Sequence, residues 1–294
     1  MLCHFLAGLF MLVLILACDK DDNDPQGSSG KILFDTNRDL EDTQGSEVYV
    51  MNADGSAQFR LTNSTGFDTD AKWNKAGTGI IFASHRGGLI SNIYIMDANG
   101  SNQLRLTDPT FGGSFPDISP DNSSIAYNSS DGLSSSNAGI YVMNIDGSNR
   151  TRLGYAIGDS DAEYSPDGSQ IVFSSSRFGD NEIFVMDADG SNQVRLTNDP
   201  STDFMPSWKP GGAQIVFVSF RNGDKGIYTM DSNGTNQNMI YMSPANEQPN
   251  DPVYSPDGEQ IIFSINNRLN IMDADGTNVT VLPGTGYNNN PDWN

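Results

Sequence analysis

Acidic side chains recur along this chain, each shortly before an apolar segment. The positions are Asp68, Asp70, Asp159, Asp161, Asp203 and Asp251, with Asn288 and Asn290 at the corresponding places near the C-terminus. Four copies carry an arginine in a later polar loop, at Arg38, Arg86, Arg177 and Arg221. Carboxylates gathered around one opening could bind a cation or a segment of a partner protein. The alternative is structural: each aspartate fixes the end of a strand and pairs with the arginine of its own repeat.

Two copies depart from this acidic pattern. Phe115 and Met205 stand where other copies have aspartate. A structural device repeats in every unit, whereas a binding site need not, so the departures are informative. We therefore predict an opening with an apolar sector at Phe115 and Met205, and a binding site there.

Catalytic chemistry has little support in the residue types. His85 is the only histidine after the first four residues, and both cysteines, Cys3 and Cys18, lie in the first 18. His85 falls in a polar loop, where a solvated side chain is a better explanation than a lone base. The Gly-x-Ser-x-Gly motif of a nucleophile elbow does not occur. The sequence therefore predicts no enzyme and no catalytic residue.

A second acidic pattern, Asp-x-Asp-Gly-x-Asn, resembles the start of a calcium-binding loop. Such a loop needs a bidentate glutamate at its twelfth position. Counted from Asp187 the twelfth residue is Asn198, and counted from Asp273 it is Gly284. Asp-Gly also supplies the backbone conformations that close a β-hairpin. We interpret the pattern as hairpin turns and predict no cofactor; a channel cation such as calcium has no support from the sequence.

The elements that position these residues form a repeat. The stretch Ile183–Asn198, IFVMDADGSNQVRLTN, is one of six near-copies. Their turn glycines are Gly55, Gly100, Gly147, Gly190, Gly234 and Gly276, separated by 45, 47, 43, 44 and 42 residues. A near-constant period of this size indicates a repeat array, in which one unit cannot bury its apolar faces alone.

One unit contains four short strands, which are clearest in the fourth copy. We predict them at Ala162–Ser165, Gln170–Ser174, Glu182–Met186 and Gln193–Thr197. Pro166-Asp167-Gly168 is a tight turn between the first two, because proline presets φ and glycine accepts a positive φ. Four antiparallel strands in about 44 residues is the period of a propeller blade.

Five complete units and two partial ones account for the chain from Lys31 onward. The N-terminal piece, Lys31–Thr62, matches the second to fourth strands, and the last residues, Pro291–Asn294, match a first strand. Pairing the two pieces would complete a sixth blade and leave no open sheet edge. The predicted fold is therefore all-β, a six-bladed β-propeller over residues 31–294 with four antiparallel strands per blade.

An aromatic residue recurs at one place in the first strand. The positions are Trp73, Tyr164, Trp208, Tyr254 and Trp293. Recurrence in blade after blade predicts packing between blades rather than a platform for a sugar.

These motifs carry a family resemblance. Ser165-Pro166-Asp167-Gly168, the stretch Ile183–Asn192 and Arg195-Leu196-Thr197 together resemble the repeat of TolB-type six-bladed propellers. The resemblance covers most of the chain and implies the fold, but it is much less specific for function. TolB itself carries an α/β domain before its propeller, whereas the repeats here begin at Lys31, so a role in the Tol–Pal system does not follow. Pectin-degrading enzymes on TolB-like propellers depend on several histidines, and this domain has only His85.

The first segment, residues 1–17, is predicted to be a signal peptide. Phe5–Ala17 is an apolar run too short for a membrane span but suited to the core of a secretory signal. Ile15-Leu16-Ala17-Cys18 resembles a bacterial lipobox, which implies acylation of Cys18. An ordinary signal peptide or a buried strand is the alternative, since Met1–His4 contains no lysine or arginine. Residues 18–30 are acidic and then Gly/Ser-rich, which predicts a flexible tether.

This N-terminal organisation predicts a location in the bacterial cell envelope. A lipid on Cys18 would anchor the chain to the outer membrane, on its periplasmic or its outer surface. Lys20-Asp21-Asp22 resembles the export signal of surface lipoproteins of the Bacteroidetes type. We expect contact with the membrane only through this lipid.

The charge of the chain limits its partners. Its 37 acidic and 16 basic residues give a net charge of −21. Such a surface excludes nucleic acid as a ligand, because phosphates require a positive surface. It also disfavours docking of the folded domain on anionic lipid headgroups. A cation or a basic partner fits better, and we expect a monomer.

Three functions are compatible with these features. The first is a non-catalytic, lipid-anchored module that holds an envelope protein or peptide at the mouth of the propeller channel. The second is a surface lipoprotein that binds or processes carbohydrate, which would require exposed aromatic residues such as Phe111, Phe115, Phe178 and Phe220. The third is a structural spacer without a ligand. The sequence favours the first.

Overall fold

The computed structural model describes residues 30–38, 45–129, 138–153, 158–223, 225–244, 247–284 and 286–294. The predicted signal peptide, Cys18 and all but the last residue of the predicted tether lie outside this part of the chain. The described residues form six four-stranded antiparallel sheets, which are the blades of a β-propeller. The predicted fold class is therefore confirmed.

The first three blades contain strands β1 to β11. Blade 1 contains β1 (Lys31–Thr36), β2 (Glu47–Asn52) and β3 (Phe59–Arg60). Blade 2 contains β4 (Asp68–Trp73), β5 (Gly79–Ser84), β6 (Asn92–Asp97) and β7 (Leu104–Arg105). Blade 3 contains β8 (Ser114–Ile118), β9 (Ser124–Ser129), β10 (Gly139–Asn144) and β11 (Thr151–Arg152).

The remaining blades contain strands β12 to β23, and β24 completes the ring. Blade 4 contains β12 (Asp159–Tyr164), β13 (Gln170–Ser175), β14 (Glu182–Asp187) and β15 (Val194–Arg195). Blade 5 contains β16 (Asp203–Trp208), β17 (Gln214–Ser219), a 3-10 turn (Arg221–Gly223), β18 (Gly226–Asp231) and β19 (Asn238–Met242). Blade 6 contains β20 (Pro249–Tyr254), β21 (Gln260–Ile265), β22 (Arg268–Asp273) and β23 (Thr280–Val281), and the last strand is β24 (Asn288–Trp293).

The two ends of the chain meet in blade 1, as predicted. Strand β24 pairs antiparallel with β1, with Ile32 opposite Trp293. The backbone N–H of Lys31 donates to the carbonyl of Asn294 at 2.8 Å, and the N–H of Asn294 donates back at 3.0 Å. The closing strand thus covers the edge that β1 would otherwise expose.

The hydrophobic core lies between the blades and consists of apolar side chains that pack against the neighbouring blade. Phe173 in the second strand of blade 4 is fully buried, and Tyr164 in the first strand is 6% exposed. Tyr164 packs in one cluster with Ala126 and Ile140 of blade 3. The same holds for Trp208, which joins blades 4 and 5. The predicted packing role of the inner-strand aromatics is confirmed.

The acidic hairpin turns also have the predicted structural role. In blade 4, Asp187 accepts a hydrogen bond from Asn192 Nδ2 at 2.7 Å, and Asp189 accepts one from the backbone N–H of Ser191 at 2.9 Å. Gly276 shows why such a turn ends in glycine. Its φ is +87°, and a Cβ there would lie 1.9 Å from the carbonyl oxygen of Ile240 in the preceding blade. The turn is therefore a contact between blades as well as a hairpin.

The inner strands begin earlier than predicted. In blade 4 the predicted start was Ala162, whereas β12 begins at Asp159 and contains a β-bulge between Ser160 and Glu163. The bulge breaks the alternating pattern on which the prediction depended. The outer strand is shorter than predicted, only Val194–Arg195. Among the described residues, no helix has the length and apolar character to cross a membrane.

Candidate functional site at the channel mouth

One residue near the start of every inner strand, the second of β8 and the third of the other five, lies at one opening of the central channel. These six residues, which we call the mouth ring, are Asn290, Asp70, Phe115, Asp161, Met205 and Asp251, in order of the blades. All six have a positive φ, between 47° and 54°. That conformation is uncommon outside glycine and marks a bulge that redirects the side chain. The ring borders a cavity of about 580 Å³, including space that opens to solvent.

The aspartates at the first position of the inner strands have a different role, although the sequence pattern predicts that they lie at the same opening. Asp68 and Asp203 are fully buried and Asp159 is 3% exposed. Each pairs with the arginine of its own blade, at 2.7 Å to Arg86, for example. These aspartates therefore do not face the cavity.

We call this arrangement the arginine clasp, and blade 4 shows all of its contacts. Arg177 Nη2 donates to both carboxylate oxygens of Asp159 at 2.9 Å, and Nε donates to Ser175 Oγ at 2.9 Å. Nη1 donates to Gln193 Oε1 at 2.6 Å, and the guanidinium lies 4.7 Å from the ring centroid of Phe184. The guanidinium donates hydrogen bonds from its edge and stacks on Phe184 with its face, so it connects strands β12, β13 and β14.

The arginine clasp recurs in other blades, although some of its residues are replaced by other types. Arg221 pairs with Asp203, and Arg38 donates at 2.7 Å to Asn288 Oδ1 in place of a carboxylate. In blade 3, Arg150 stacks on Tyr141 from the position that glutamine holds in other blades. Arg38, Arg86, Arg177 and Arg221 therefore have the structural role considered in the sequence analysis: each binds the first residue of the inner strand of its own blade.

The carboxylates of the mouth ring are held at unusual pKa values. Burial raises the pKa of Asp70 to about 6. Burial, with repulsion from Asp161 and Asp70, raises the pKa of Asp251 to about 7. Burial likewise raises the pKa of Asp161, against hydrogen bonds from Ser174 and Ser160. Burial and mutual repulsion both disfavour the charged forms.

Asp35 belongs to the same cluster of buried carboxylates, although the sequence analysis did not predict it as a site residue. It lies in β1 behind the ring, 5% exposed, and accepts a hydrogen bond from Asn290 Nδ2 at 2.7 Å. Burial and repulsion from Asp70 raise its pKa well above the ordinary value. Asp35 was overlooked because it sits inside an apolar run, KILFDT, that otherwise indicates a buried strand.

A second layer of charged residues, also missed, lies deeper in the channel. It contains Lys72, Glu163 and Asp292, each the fifth residue of its inner strand, and Asp117, the fourth residue of β8. Lys72 Nζ lies 3.2 Å from Asp292. Each carboxylate also accepts a backbone N–H from the inner strand of the next blade at 2.8 Å; that of Glu163, for example, accepts from Trp208. These side chains connect neighbouring blades across the channel wall.

The two apolar members of the ring are not adjacent. Phe115 is 41% exposed on blade 3 and Met205 is half-buried on blade 5, so Asp161 of blade 4 lies between them. The predicted apolar sector is therefore divided in two. His85 is also less solvated than predicted: it is partly buried, with its ring 6.1 Å from that of Phe67.

Comparison with known proteins agrees with this architecture. Residues 36–132 and 114–294 match the family model described as TolB beta propeller domain. An uncharacterized protein of Agrobacterium fabrum, Atu1656, is 32% identical over 180 residues, which are 60% of this chain and 49% of that protein. The chain thus spans about half the length of that relative.

Solved structures show the same fold. The crystal structure of TolB from Acinetobacter baumannii has a TM-score of 0.78 and 23% identity, over 91% of this chain and 67% of that one. A putative TolB from Agrobacterium tumefaciens has a TM-score of 0.70 and 18% identity, over 90% and 92%. Oligogalacturonate lyases are also among the structural neighbours. At these identities the likeness establishes architecture and leaves activity open.

Proposed function

The chain belongs to the TolB β-propeller domain family, and we propose that it is a non-catalytic binding module whose channel mouth holds a segment of a partner protein or peptide. The observation that carries this proposal is the mouth ring. Its three carboxylates, on Asp70, Asp161 and Asp251, line a cavity and form no salt bridge with any described residue. In contrast, each aspartate of the arginine clasp already forms a salt bridge with an arginine, so of the two sets only the carboxylates of the mouth ring are available to a positively charged partner.

The energetics of the ring support a functional role. Burial and repulsion between Asp251, Asp161 and Asp70 oppose their ionisation, as the raised pKa values indicate. Such an arrangement reduces stability at neutral pH, and perturbed groups in a cleft are typical of functional sites. A partner with a positive charge would remove this repulsion on binding.

A carbohydrate site is supported less well. Phe178 is the most exposed of the aromatic candidates, at 69%, and Phe111 is 37% exposed. However, Arg195 lies 5.7 Å from the ring centroid of Phe178, and Arg150 lies 4.6 Å from that of Phe111. A sugar needs a free aromatic face on which to stack, and these rings already have cation neighbours.

The proposed setting of the module is the bacterial envelope, with a lipid on Cys18. The support is the sequence Ile15-Leu16-Ala17-Cys18, which resembles a lipobox. Metabolic labelling with a fatty-acid analogue tests it: the wild-type chain should incorporate label and Cys18→Ala should not. Equal labelling of the two would reject lipidation at this residue.

The experiment that tests the binding function is retention of envelope proteins on the full chain, purified in mild detergent. The test variant is Asp161→Asn/Asp251→Asn, which removes two charges from the mouth ring. The control is Glu259→Gln/Asp275→Asn, which removes two exposed charges beside the hairpin turns of the opposite end. Any retained protein would be identified, purified and titrated against each variant.

We expect the partner to bind the wild type and the control alike and the mouth variant at least about tenfold more weakly. Circular dichroism would verify that all three are folded. A partner that binds the mouth variant with unchanged affinity would reject the channel mouth as the site. If no protein is retained, an array of soluble glycans, read with Phe178→Ala as the control, tests the carbohydrate alternative.

A further inference from the structure

Large apolar side chains are exposed unevenly on this propeller. Among the described residues they occur at the mouth end and on or directly beside the outer strands, such as Val279 next to β23. Five of those at the mouth end belong to blades 2 and 3. They are Phe67, Leu89, Ile90, Phe111 and Phe115, and we call them the apolar arc.

The arc is exposed to an unusual degree for a soluble surface. Leu89 is 100% exposed, Phe67 46% and Ile90 40%. Leu89 follows Gly87 and Gly88 in the loop between the second and third strands of blade 2. Single exposed apolar residues need no explanation, but a group of them at one site indicates an interaction surface.

Contacts within the arc connect the two blades. A Cβ on Gly112 would lie 2.7 Å from Ile90 Cγ2, so the side chain of Ile90 rests against the backbone beside Phe111. The N–H of Gly113 donates to the carbonyl of Ser91 at 2.7 Å, which fixes this approach. These contacts hold Ile90 of blade 2 beside the segment of blade 3 that carries Phe111 and Phe115.

The arc continues into the channel mouth. Phe115 belongs to both, and its backbone N–H lies 3.4 Å from the carboxylate of Asp70. Asp161 lies on the other side of Phe115 in the ring, and Asp251 is the third carboxylate without a salt bridge. A ligand on the arc therefore meets negative charge at one end, on a chain whose net charge is −21.

The geometry points to one kind of occupant: a polypeptide segment in which a lysine or arginine enters the mouth ring while adjacent apolar side chains cover the arc. This inference rests on the proposed function and specifies its partner. Charge complementarity favours a basic residue, because none of the three carboxylates of the mouth ring forms a salt bridge with a described residue. Burial of leucine or phenylalanine against the arc supplies affinity that charge alone does not.

The test uses three fluorescent synthetic peptides and the full chain in mild detergent. The first peptide carries a lysine between leucine and phenylalanine, the second replaces the lysine with glutamate, and the third replaces both apolar residues with serine. Affinities are measured by fluorescence anisotropy. We expect the first peptide to bind about tenfold or more tightly than either of the others.

Protein variants then separate the arc from the mouth. Leu89→Ser/Ile90→Ser should weaken the first peptide about tenfold, because Leu89 is on the surface and its loss creates no cavity. Leu104→Ser is the matched control, since Leu104 is 60% exposed on an outer strand away from the mouth. It should bind as the wild type does. Asp251→Asn should also weaken the peptide, by removing charge from the mouth.

Each outcome decides one of the two proposals. If Leu89→Ser/Ile90→Ser binds the first peptide like the wild type, or if the serine peptide binds equally well, the arc is not the docking surface. In that case a loss with Asp251→Asn would still support the mouth as the site. If the arc variant loses binding and Asp251→Asn does not, the mouth proposal fails. If none of the three peptides binds, the stated partner chemistry is rejected, while the envelope retention experiment still tests the mouth.

Discussion

Replacing Lys72 by methionine tests the reasoning about the buried channel charges most directly. Lys72 lies in the deeper layer, 3.2 Å from Asp292. Although burial opposes its charge, attraction by Asp292, Glu163 and Asp117 raises the pKa of Lys72 above its ordinary value. The cation is therefore present across the whole neutral range. Methionine keeps most of the side-chain volume and removes only the charge.

The expected loss follows from the burial of the pair. Removing one partner of a buried ion pair costs about 3–5 kcal/mol, because the other charge remains uncompensated. The side chain of Lys72 is 24% exposed and that of Asp292 is 14% exposed, so solvent screens part of the effect. We expect a loss of about 2–3 kcal/mol in the free energy of unfolding near pH 8.

The loss should shrink on acidification. Burial, then repulsion from Glu163, raises the pKa of Asp117 to about 8, and burial raises that of Glu163. A raised acid pKa means that the folded state binds protons more readily than the unfolded state, so stability rises as pH falls. Without Lys72 these pKa values should rise further. Protonation of Asp117 and Glu163 on acidification removes part of the charge that Lys72 neutralises, so the loss near pH 5.5 should be smaller than the loss near pH 8.

Urea unfolding followed by tryptophan fluorescence measures both quantities. The control is Lys75→Met, an exposed lysine of the same blade, which should change stability by no more than about 0.5 kcal/mol. The reasoning is refuted if Lys72→Met is as stable as the wild type at pH 8. It is also refuted if the loss is equal at both pH values, because the effect would then be packing rather than charge.

Three further predictions concern the mouth, the clasp and the turns. Asp251→Asn should raise the melting temperature at pH 8 more than at pH 5, because burial raises the pKa of this carboxyl to about 7 and the stability it costs grows as pH rises from the unfolded pKa of about 4 to that value. Equal shifts at both pH values would contradict this. Arg177→Lys should destabilise by about 2 kcal/mol in urea unfolding, because an ammonium cannot keep the two-oxygen contact and the aromatic stack together; a change below about 0.5 kcal/mol would argue against the clasp. Gly276→Ala should destabilise by more than Gly211→Ala. Both glycines have a φ of +87°, but only at Gly276 would the new Cβ meet backbone, so equal losses would exclude the close approach as the cause.

Much of the fold follows from the sequence alone. The period of the turn glycines, the four strands per unit and the partial units at the two ends determine a closed six-bladed ring, because each unit needs neighbours to bury its faces. The aromatic of the inner strand and the acidic hairpin turns were also assigned correctly. These features are local or recur in blade after blade, so a single chain displays most of them several times.

The deeper channel layer did not follow from the sequence. Lys72 and Asp292 are 220 residues apart in the chain, and their contact exists only because the ring closes. Asp117 and Glu163 occupy the same strand position, but the residue type there changes from blade to blade. These residues do not form a repeated pattern, and the residues they contact are distant in the chain. A single sequence therefore does not reveal that they form one layer.

The division of the aspartate pairs shows most clearly what tertiary structure decided. Two residues apart on a regular strand, Asp68 and Asp70 would face the same side, and the sequence therefore placed both at the mouth. The bulge at Asp70, with a φ of 53°, breaks that alternation. Asp68 stays fully buried beside Arg86, while Asp70 turns into the channel. The sequence determined which residues recur, and a local change of backbone direction decided which of them line the channel.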